Sequence, residues 1–430
     1  MRHINRRVVV TGMEMITPLG VGMEETWKAM QAGKSGVDYI KRFDCETFQT
    51  RIAGQVKNFK FSDFILDYPD IEDLGIHSKF SLAATKMALE NSGIEVDKIN
   101  PRRSGVYLGS GEGEFDFFGF TDCIIDSWCE DHVDLHDFFE AGRRHLHPFR
   151  ELEHDSNRPA AHIASYFGFY GPNSNCLTAC AASSQAIGEA WSMIRRGDAD
   201  VMITGGAHSM IHPLGVLGFN LLTALSTQND EPTKASKPFD IKRDGFVLGE
   251  GSAILILEDM EHAKARGARI LGEIIGYGTS ADSFRITDAH PEGRGAIDAM
   301  SRALRQAGIQ PKDIDYINAH GTSTNVNDTV ETIAIKSVFG DNMENIPVSS
   351  VKSMMGHLIA AAGAAELITC LLALRDGIIP PTINYNDPDP QCDLDYVPNK
   401  CRKKELNTIL SNSFGFGGQN VALVVRKFGS

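Results

Sequence analysis

Short β-rich runs alternate with segments of helical period from one end of this chain to the other. "RRVVVTG", "SGVYLGSG", "ADVMITGGA" and "GSAILILED" read as strands in the first part, and "ILGEIIGYG", "IDYINAHG", "IPVSS" and "NVALVVRKF" in the second. Helical patterns such as "SLAATKMALENSG" and "GAIDAMSRALRQAG" lie between them. This alternation restricts the chain to an α/β fold with a mainly parallel sheet. The strands fall into two comparable halves meeting near residue 265, residues 1–265 and 266–430, without a clean sequence repeat. No low-complexity linker separates them, so they should share one core.

With 42% hydrophobic and 23% charged residues over 430 positions, the composition is that of a soluble globular protein. A net charge of −14 excludes general nucleic-acid binding, which needs a basic face. The opening "MRHINRRVVVTG" has too short an apolar run for a signal peptide, and no cleavage pattern follows. Eight scattered cysteines read as reduced thiols in a cytoplasmic protein. The stretch from His357 to Gly377, "HLIAAAGAAELITCLLALRDG", is apolar but broken by Glu366. Its uninterrupted runs fall short of the roughly 20 residues of a membrane span. It predicts a helix buried in the core, with small residues from Ala360 to Ala365 allowing close backbone packing. Residues 114–158 are aromatic and acidic with no steady period, with an insertion at about 114–142. They form either a surface excursion or a lid or interface element.

In "NCLTACAASSQAIGEAWSMIRRG" a short buried strand gives way to a helix at Cys180. Ala186, Ile187, Ala190, Met193 and Ile194 carry the helical spacing, and Gly197 stops it. A helix N-terminus lowers a thiol's pKa and suits it to nucleophilic work. Cys176 should point into the core. The two cysteines have no His or Cys cluster at ligand spacing, so no metal site is expected. His320 ends a strand in "YINAHGTSTNVND", at the sheet edge where α/β proteins place chemistry. "VSSVKSMMGHLIAAAG" supplies Lys352 and then His357, which the following helix terminus should keep neutral. "SNSFGFGGQN" reads as a glycine-rich turn without phosphate-loop spacing. Its backbone could supply an oxyanion donor, with Phe416 as an apolar gate. One thiol and two histidines at strand ends suggest acyl transfer through a thioester.

These segments, with "VVVTGMEMITPLG", "LTACAAS", "ALSTQNDEPTKASKPFDIKRDGFVLGEG", "NAHGTST", "PPTINY" and "NSFGFGG", resemble the β-ketoacyl-acyl carrier protein synthases over nearly the whole chain. The resemblance is greatest to the type II elongating enzymes of bacterial fatty-acid synthesis. It implies the thiolase fold, two similar βαβαβαββ halves in five α-β-α-β-α layers, and a homodimer. It implies that Cys180 accepts the acyl group, and that His320 and His357 assist malonyl decarboxylation and stabilise the enolate. Lys352 would orient the site electrostatically, and the N–H groups of Cys180 and Phe416 would form the oxyanion hole. Thr287, Thr322 and Thr324 match threonines that contact a phosphopantetheine arm; Phe414, Asn420 and Glu112 are further substrate-side positions. No cofactor is implied beyond the phosphopantetheine carried by the partner acyl carrier protein, which would bring acyl and malonyl groups. A thiolase would need a second cysteine as base, and the third synthase type pairs its cysteine with His and Asn. A non-elongating chain-length-factor-like partner subunit would lack the cysteine that this chain has. A specialised ketosynthase with an atypical acyl substrate remains an alternative.

Three segments depart from the pattern. Glu112 stands where elongating enzymes carry an apolar residue, and "RELEHDSN" (Arg150–Asn157) replaces an apolar segment. Arg143 and Arg144 match a basic carrier-docking pair, but Thr223 replaces an arginine and "LDYPDIEDLG" replaces a basic helix. Glu112, Glu151, Glu153, His154 and Asp155 should either pair with each other or with Arg150 and Arg158 at the dimer interface, leaving a short pocket, or face an acyl chain with polar groups.

Overall fold

A computed structural model describes residues 6–69 and 71–429. Its central sheet has ten main strands: β1 Val8–Thr17, β2 Ser104–Ser110, β3 Asn173–Cys176, β4 Val201–His208, β5 Gly251–Asp259, β6 Gly272–Ala281, β7 Tyr316–Asn318, β8 Val348–Ser349, β9 Thr408–Gly415 and β10 Gln419–Arg426. A two-residue strand, Gly20–Val21, pairs with the end of β1. The order is β8-β7-β9-β10-β6-β1-β5-β4-β2-β3. Within it one pattern occurs twice. β1–β5 and β5–β4 are antiparallel while β4–β2 and β2–β3 are parallel. β6–β10 and β10–β9 are antiparallel while β9–β7 and β7–β8 are parallel. The halves join where Val8, Val9 and Val10 pair with Ile274, Glu273 and Gly272. The sheet is therefore mixed, not mainly parallel. Strands such as β4 and β5 are covered on both faces, so their unbroken apolar runs look the same in either direction.

Numbered along the chain, the helices that matter are α1 Ile76–Ser92, α2 Phe117–Ser127, α3 Leu135–His145, α4 Arg158–Phe167, α5 Ala182–Arg196, α6 Pro213–Leu221, α7 Arg294–Ala307, α8 Asn325–Phe339 and α9 Ala362–Asp376. α1 and α4 cover the outer face of the first half, and α7, with α8 packed on it, covers that of the second. α5 and α9 lie between the halves and touch strands of both. These are the five layers of a thiolase fold. α9 is buried from Ala362 to Leu374 because sheet lies on both sides of it, which accounts for its span-like composition. Among the described residues, no helix is long and apolar enough to cross a membrane.

The backbone repeats where the sequence does not. A single 3-10 turn precedes each central helix, Ala179–Ala181 before α5 and Ile359–Ala361 before α9. Ala179 and Ile359, which open these turns, have φ of 46° and 47°. Both helices run for 15 residues and end at a left-handed glycine, Gly197 and Gly377.

Three local expectations change. β3 is an edge strand that ranges from half-buried to exposed, and Cys176 is itself half-buried, donating from Sγ to the Ala182 carbonyl at 3.1 Å. "SNSFG" continues β9 and "QN" opens β10, so the turn is only Phe416–Gly418, with Gly417 and Gly418 at positive φ. Residues 114–158 are mostly helical. α2 and α3 pack on each other around a short hairpin, Trp128–Cys129 with His132–Val133. Their period is masked because Phe118, Ile125 and Phe139 stay exposed opposite the packed faces.

Candidate active site

Cys180 sits in the turn between β3 and α5 and is buried. The φ of 46° at Ala179 turns the chain so that the thiol faces the end of β9. Gly415 closes the approach from that strand: a Cβ there would meet the Thr178 carbonyl at 2.8 Å and the Cys180 nitrogen at 3.4 Å. The backbone N–H groups of Phe416 and of Cys180 itself donate toward the sulfur. Burial nevertheless pushes the thiol up to about 11, outweighing the Lys352 ammonium and both N–H groups. A helix start does not by itself make Cys180 a thiolate.

The Cys180 sulfur and one ring nitrogen each of His320 and His357 lie within 4.8 Å of one another. The two rings meet edge to face, with centroids 5.4 Å apart. His357 is held by its backbone, donating to the Val247 carbonyl at 2.7 Å and accepting from Gly249 N–H at 2.9 Å. Its Nδ1 accepts from Ile359 N–H at 3.2 Å, so the proton of the neutral ring is on Nε2. That Nε2 is buried and has no hydrogen-bond partner in the protein. The Phe246 ring stands edge-on at 5.3 Å.

His320 follows β7. Its N–H and that of Gly321 donate to the two oxygens of Glu331, each at 2.8 Å. Lys352 Nζ donates to the His320 carbonyl at 2.6 Å and faces its Nδ1 at 3.4 Å, so here too the proton is on Nε2. Both imidazoles are held well below the usual histidine range, first by burial and then by the Lys352 charge. His357 is neutral as expected, but burial is the main cause. Lys352 is itself buried and closes a short ion pair with Glu366 of α9. Burial lifts that carboxyl to about 7.

The site therefore presents N–H donors from two neutral imidazoles and two backbone amides, beside a buried ammonium. Such an array suits an oxygen that gains negative charge. The Cys–His–His set also has the spacing of metal ligands. A cation would need the lone pair of a nitrogen that here carries a proton, and would meet the Lys352 charge. The donor set thus fits an anion better than a metal ion.

Thr287, Thr322, Thr324, Phe414 and Phe416 line the cavity above Cys180, His320 and His357, with Phe246. Thr322 and Thr324 share a 2.9 Å hydrogen bond, and the Thr324 hydroxyl also caps α8. Asn420 lies off this wall, buried and donating to the Gly418 carbonyl at 3.2 Å, where it braces the turn. Glu112 is exposed and does not line the cavity. Arg143 and Arg144 are exposed on α3, already facing Glu140 at 3.7 Å and Asp126 at 3.0 Å. The charged segment pairs mainly within the chain. Glu153 is buried, bonded to His162 at 2.6 Å and to Ser78 at 2.7 Å, and held at about 2. Arg150 reaches Asp73 and Asp116. The sequence reading missed Glu331 and Phe246, and noted Glu366 only as a break in an apolar run. The available signal was a carboxylate at an inward position of a helix, as in "TVETIAI".

The chain matches the family models "Beta-ketoacyl synthase, N-terminal domain" over residues 5–263 and "Beta-ketoacyl synthase, C-terminal domain" over 271–386. It is 44% identical to the 3-oxoacyl-[acyl-carrier-protein] synthase 2 of Coxiella burnetii, over 98% of this chain and 99% of that one. The Synechocystis protein of the same name is 41% identical over 98% of each. A type II polyketide ketosynthase, solved with its acyl-carrier protein and bound to a hexaketide, superposes with a TM-score of 0.87 at 35% identity, covering 98% and 99% of the chains. A beta-ketoacyl synthase from Burkholderia phymatum gives 0.87 at 34%, with the same coverage. The chain belongs to the beta-ketoacyl synthase family.

Proposed function

We propose that this chain is a β-ketoacyl-[acyl-carrier-protein] synthase that elongates acyl chains by decarboxylative Claisen condensation. The observation that carries the reading is the meeting of one buried thiol, two imidazole N–H donors and two backbone N–H donors at one point. In the first half-reaction Cys180 Sγ attacks the thioester carbonyl of an acyl group on the carrier's phosphopantetheine. The carbonyl oxygen gains charge between the N–H groups of Cys180 and Phe416, the carbon–sulfur bond to the carrier breaks, and the thiol proton ends on the departing carrier thiol. In the second, the carboxylate of a malonyl thioester leaves as CO₂. His320 and His357 donate from Nε2 to the enolate oxygen. The enolate carbon attacks the acyl carbon, and Cys180 leaves as a thiolate that regains a proton.

Lys352 is a positioning residue in this scheme, holding the His320 carbonyl and adding its charge to the burial that keeps both rings neutral. Thr287, Thr322 and Thr324 would receive the phosphopantetheine arm, Phe414 and Phe416 would bound its path, and Arg143 and Arg144 would offer a small carrier contact. The enzyme would be a cytoplasmic homodimer, its thiol supplied by residues 1–265 and its histidines by 266–430. The test is incubation with acyl- and malonyl-loaded carrier, followed by mass analysis of protein and product. An acyl adduct on Cys180 and a β-ketoacyl product are expected, and both should vanish in a folded Cys180→Ala variant. Elongation by that variant would refute the mechanism.

A further inference from the structure

The stretch "VSS" ahead of Lys352 and the motif "PPTINY" supply no reacting group, yet both bear on the loop that carries His320. β7 and β8 are parallel neighbours, with Ile317 and Asn318 opposite Val348 and Ser349. His320 and Ser350 therefore leave the sheet at the same edge. The loop after β7 is bent unfavourably, with φ of 39° at Gly321 and 71° at Ser323. Left-handed backbone at a serine costs energy and persists only where the surroundings over-determine it.

Those surroundings grip the loop from two sides. On one, the Ser323 carbonyl accepts from Gly245 N–H at 3.1 Å and its Oγ from Lys237 N–H at 3.0 Å. On the other, side chains take every polar backbone group of His320 and Gly321. Glu331 accepts from both N–H groups, and Lys352 donates to the His320 carbonyl. The fourth group, the Gly321 carbonyl, accepts from Ser350 Oγ at 2.6 Å. The contact is so close that a Cβ at Gly321 would lie 2.5 Å from the Cβ of Ser350. Ser350 is fixed in its turn. Its N–H donates to Thr382 Oγ1 at 3.0 Å, and its carbonyl accepts from Ser353 Oγ at 2.9 Å. Thr382, in "PPTINY", is anchored by backbone bonds to Val397 and Asn399. Ser350, Ser353 and Thr382 are wholly buried, so a hydroxyl removed here leaves its partner unsatisfied.

Building on the proposed function, we propose that Ser350, backed by Thr382, is a positioning residue that fixes the His320–Gly321 backbone so that the ring Nε2–H meets the enolate oxygen. Acylation of Cys180 relies instead on the N–H groups of Cys180 and Phe416, so substitution should separate the two half-reactions. The experiment measures, in single turnovers, CO₂ release from malonyl pantetheine and transfer to Cys180 from an acyl pantetheine. Ser350→Ala should slow decarboxylation about tenfold, through kcat and not KM, and leave acyl transfer within about twofold. Joined to His320→Ala it should cost nothing more, because a group that acts through a ring has no effect once the ring is gone. Thr382→Val should slow the same step a few fold and Thr382→Ser should not; this pair carries the test if Ser350→Ala does not fold. Unchanged decarboxylation in the folded Ser350 and Thr382 variants overturns the proposal. So do equal losses in both half-reactions, or a loss that persists undiminished beside His320→Ala, as a merely structural role would give. If the unsubstituted protein releases no CO₂ from malonyl pantetheine, the proposed function falls and this inference with it.

Discussion

At Cys180 burial and electrostatics pull in opposite directions. Removing the thiolate from water costs more than Lys352 and two N–H groups return, so the resting sulfur keeps its proton at neutral pH. Alkylation needs the thiolate. Its rate at Cys180 should therefore climb about tenfold per pH unit from neutrality and level off only near pH 11, against about 8.5 for a free cysteine. Rapid-quench labelling followed by peptide mapping would show this, and a plateau near pH 7 would contradict it. The histidines give a second prediction. His320→Ala or His357→Ala should slow malonyl decarboxylation about a hundredfold, and slow acylation of Cys180 far less, because enolate charge develops only in the former step. Single-turnover measurement of the two half-reactions separates them; equal losses would indicate a general positioning role. Cys180, His320, Lys352 and His357 were legible because each stands in an unusual local context, at a strand end or a helix start. The state of the thiol was not, since a sequence does not record how much protein covers it. Glu331 was equally hidden. As a residue type on a helix it is ordinary, and only the fold turns it toward two N–H groups.

Among the elements, the hairpin of β9 and β10 does the most for the site. It carries Gly415 against the Cys180 backbone and Phe416 N–H toward the sulfur. Gly415→Ala would push a methyl group into the Thr178 carbonyl and shift the turn. The expected result is a hundredfold or greater loss of kcat, as for loss of one oxyanion donor, with a smaller change in KM. Steady-state kinetics on the folded variant checks this, and an unchanged kcat would mean that Phe416 N–H is not needed. The strands and helices themselves were largely visible in the apolar periodicity. The direction of strand pairing was not: β10 follows β9 after a three-residue turn, and the polar serines and asparagine of "SNSFG" conceal a buried strand end.

For the whole molecule, charge is the deciding quantity. A net charge of −14 and the Asp67–Asp73 stretch oppose an acidic partner, and Arg143 and Arg144 are already engaged within the chain. Binding of a generic acidic carrier should accordingly be weak and strengthen modestly as salt screens the repulsion, and Arg143→Glu with Arg144→Glu should raise its KM only a few fold. Strong binding that salt abolishes would overturn this. The division into two halves was legible in the order of strands, whereas the matched backbone within them was not, because the two helices that share it have different neighbours. Ala360 occupies in its turn the place that Cys180 occupies in the other. The consequence is a duplicated frame with a single reactive seat. The two turns pack against each other at the centre of the chain, so a cysteine in both would bring two sulfurs into the same dry interior. Such a pair would be open to oxidation or to capture of a soft metal. Alanine in the second seat spares the Cys180 sulfur that competition and leaves its half of the frame free to contribute imidazole instead.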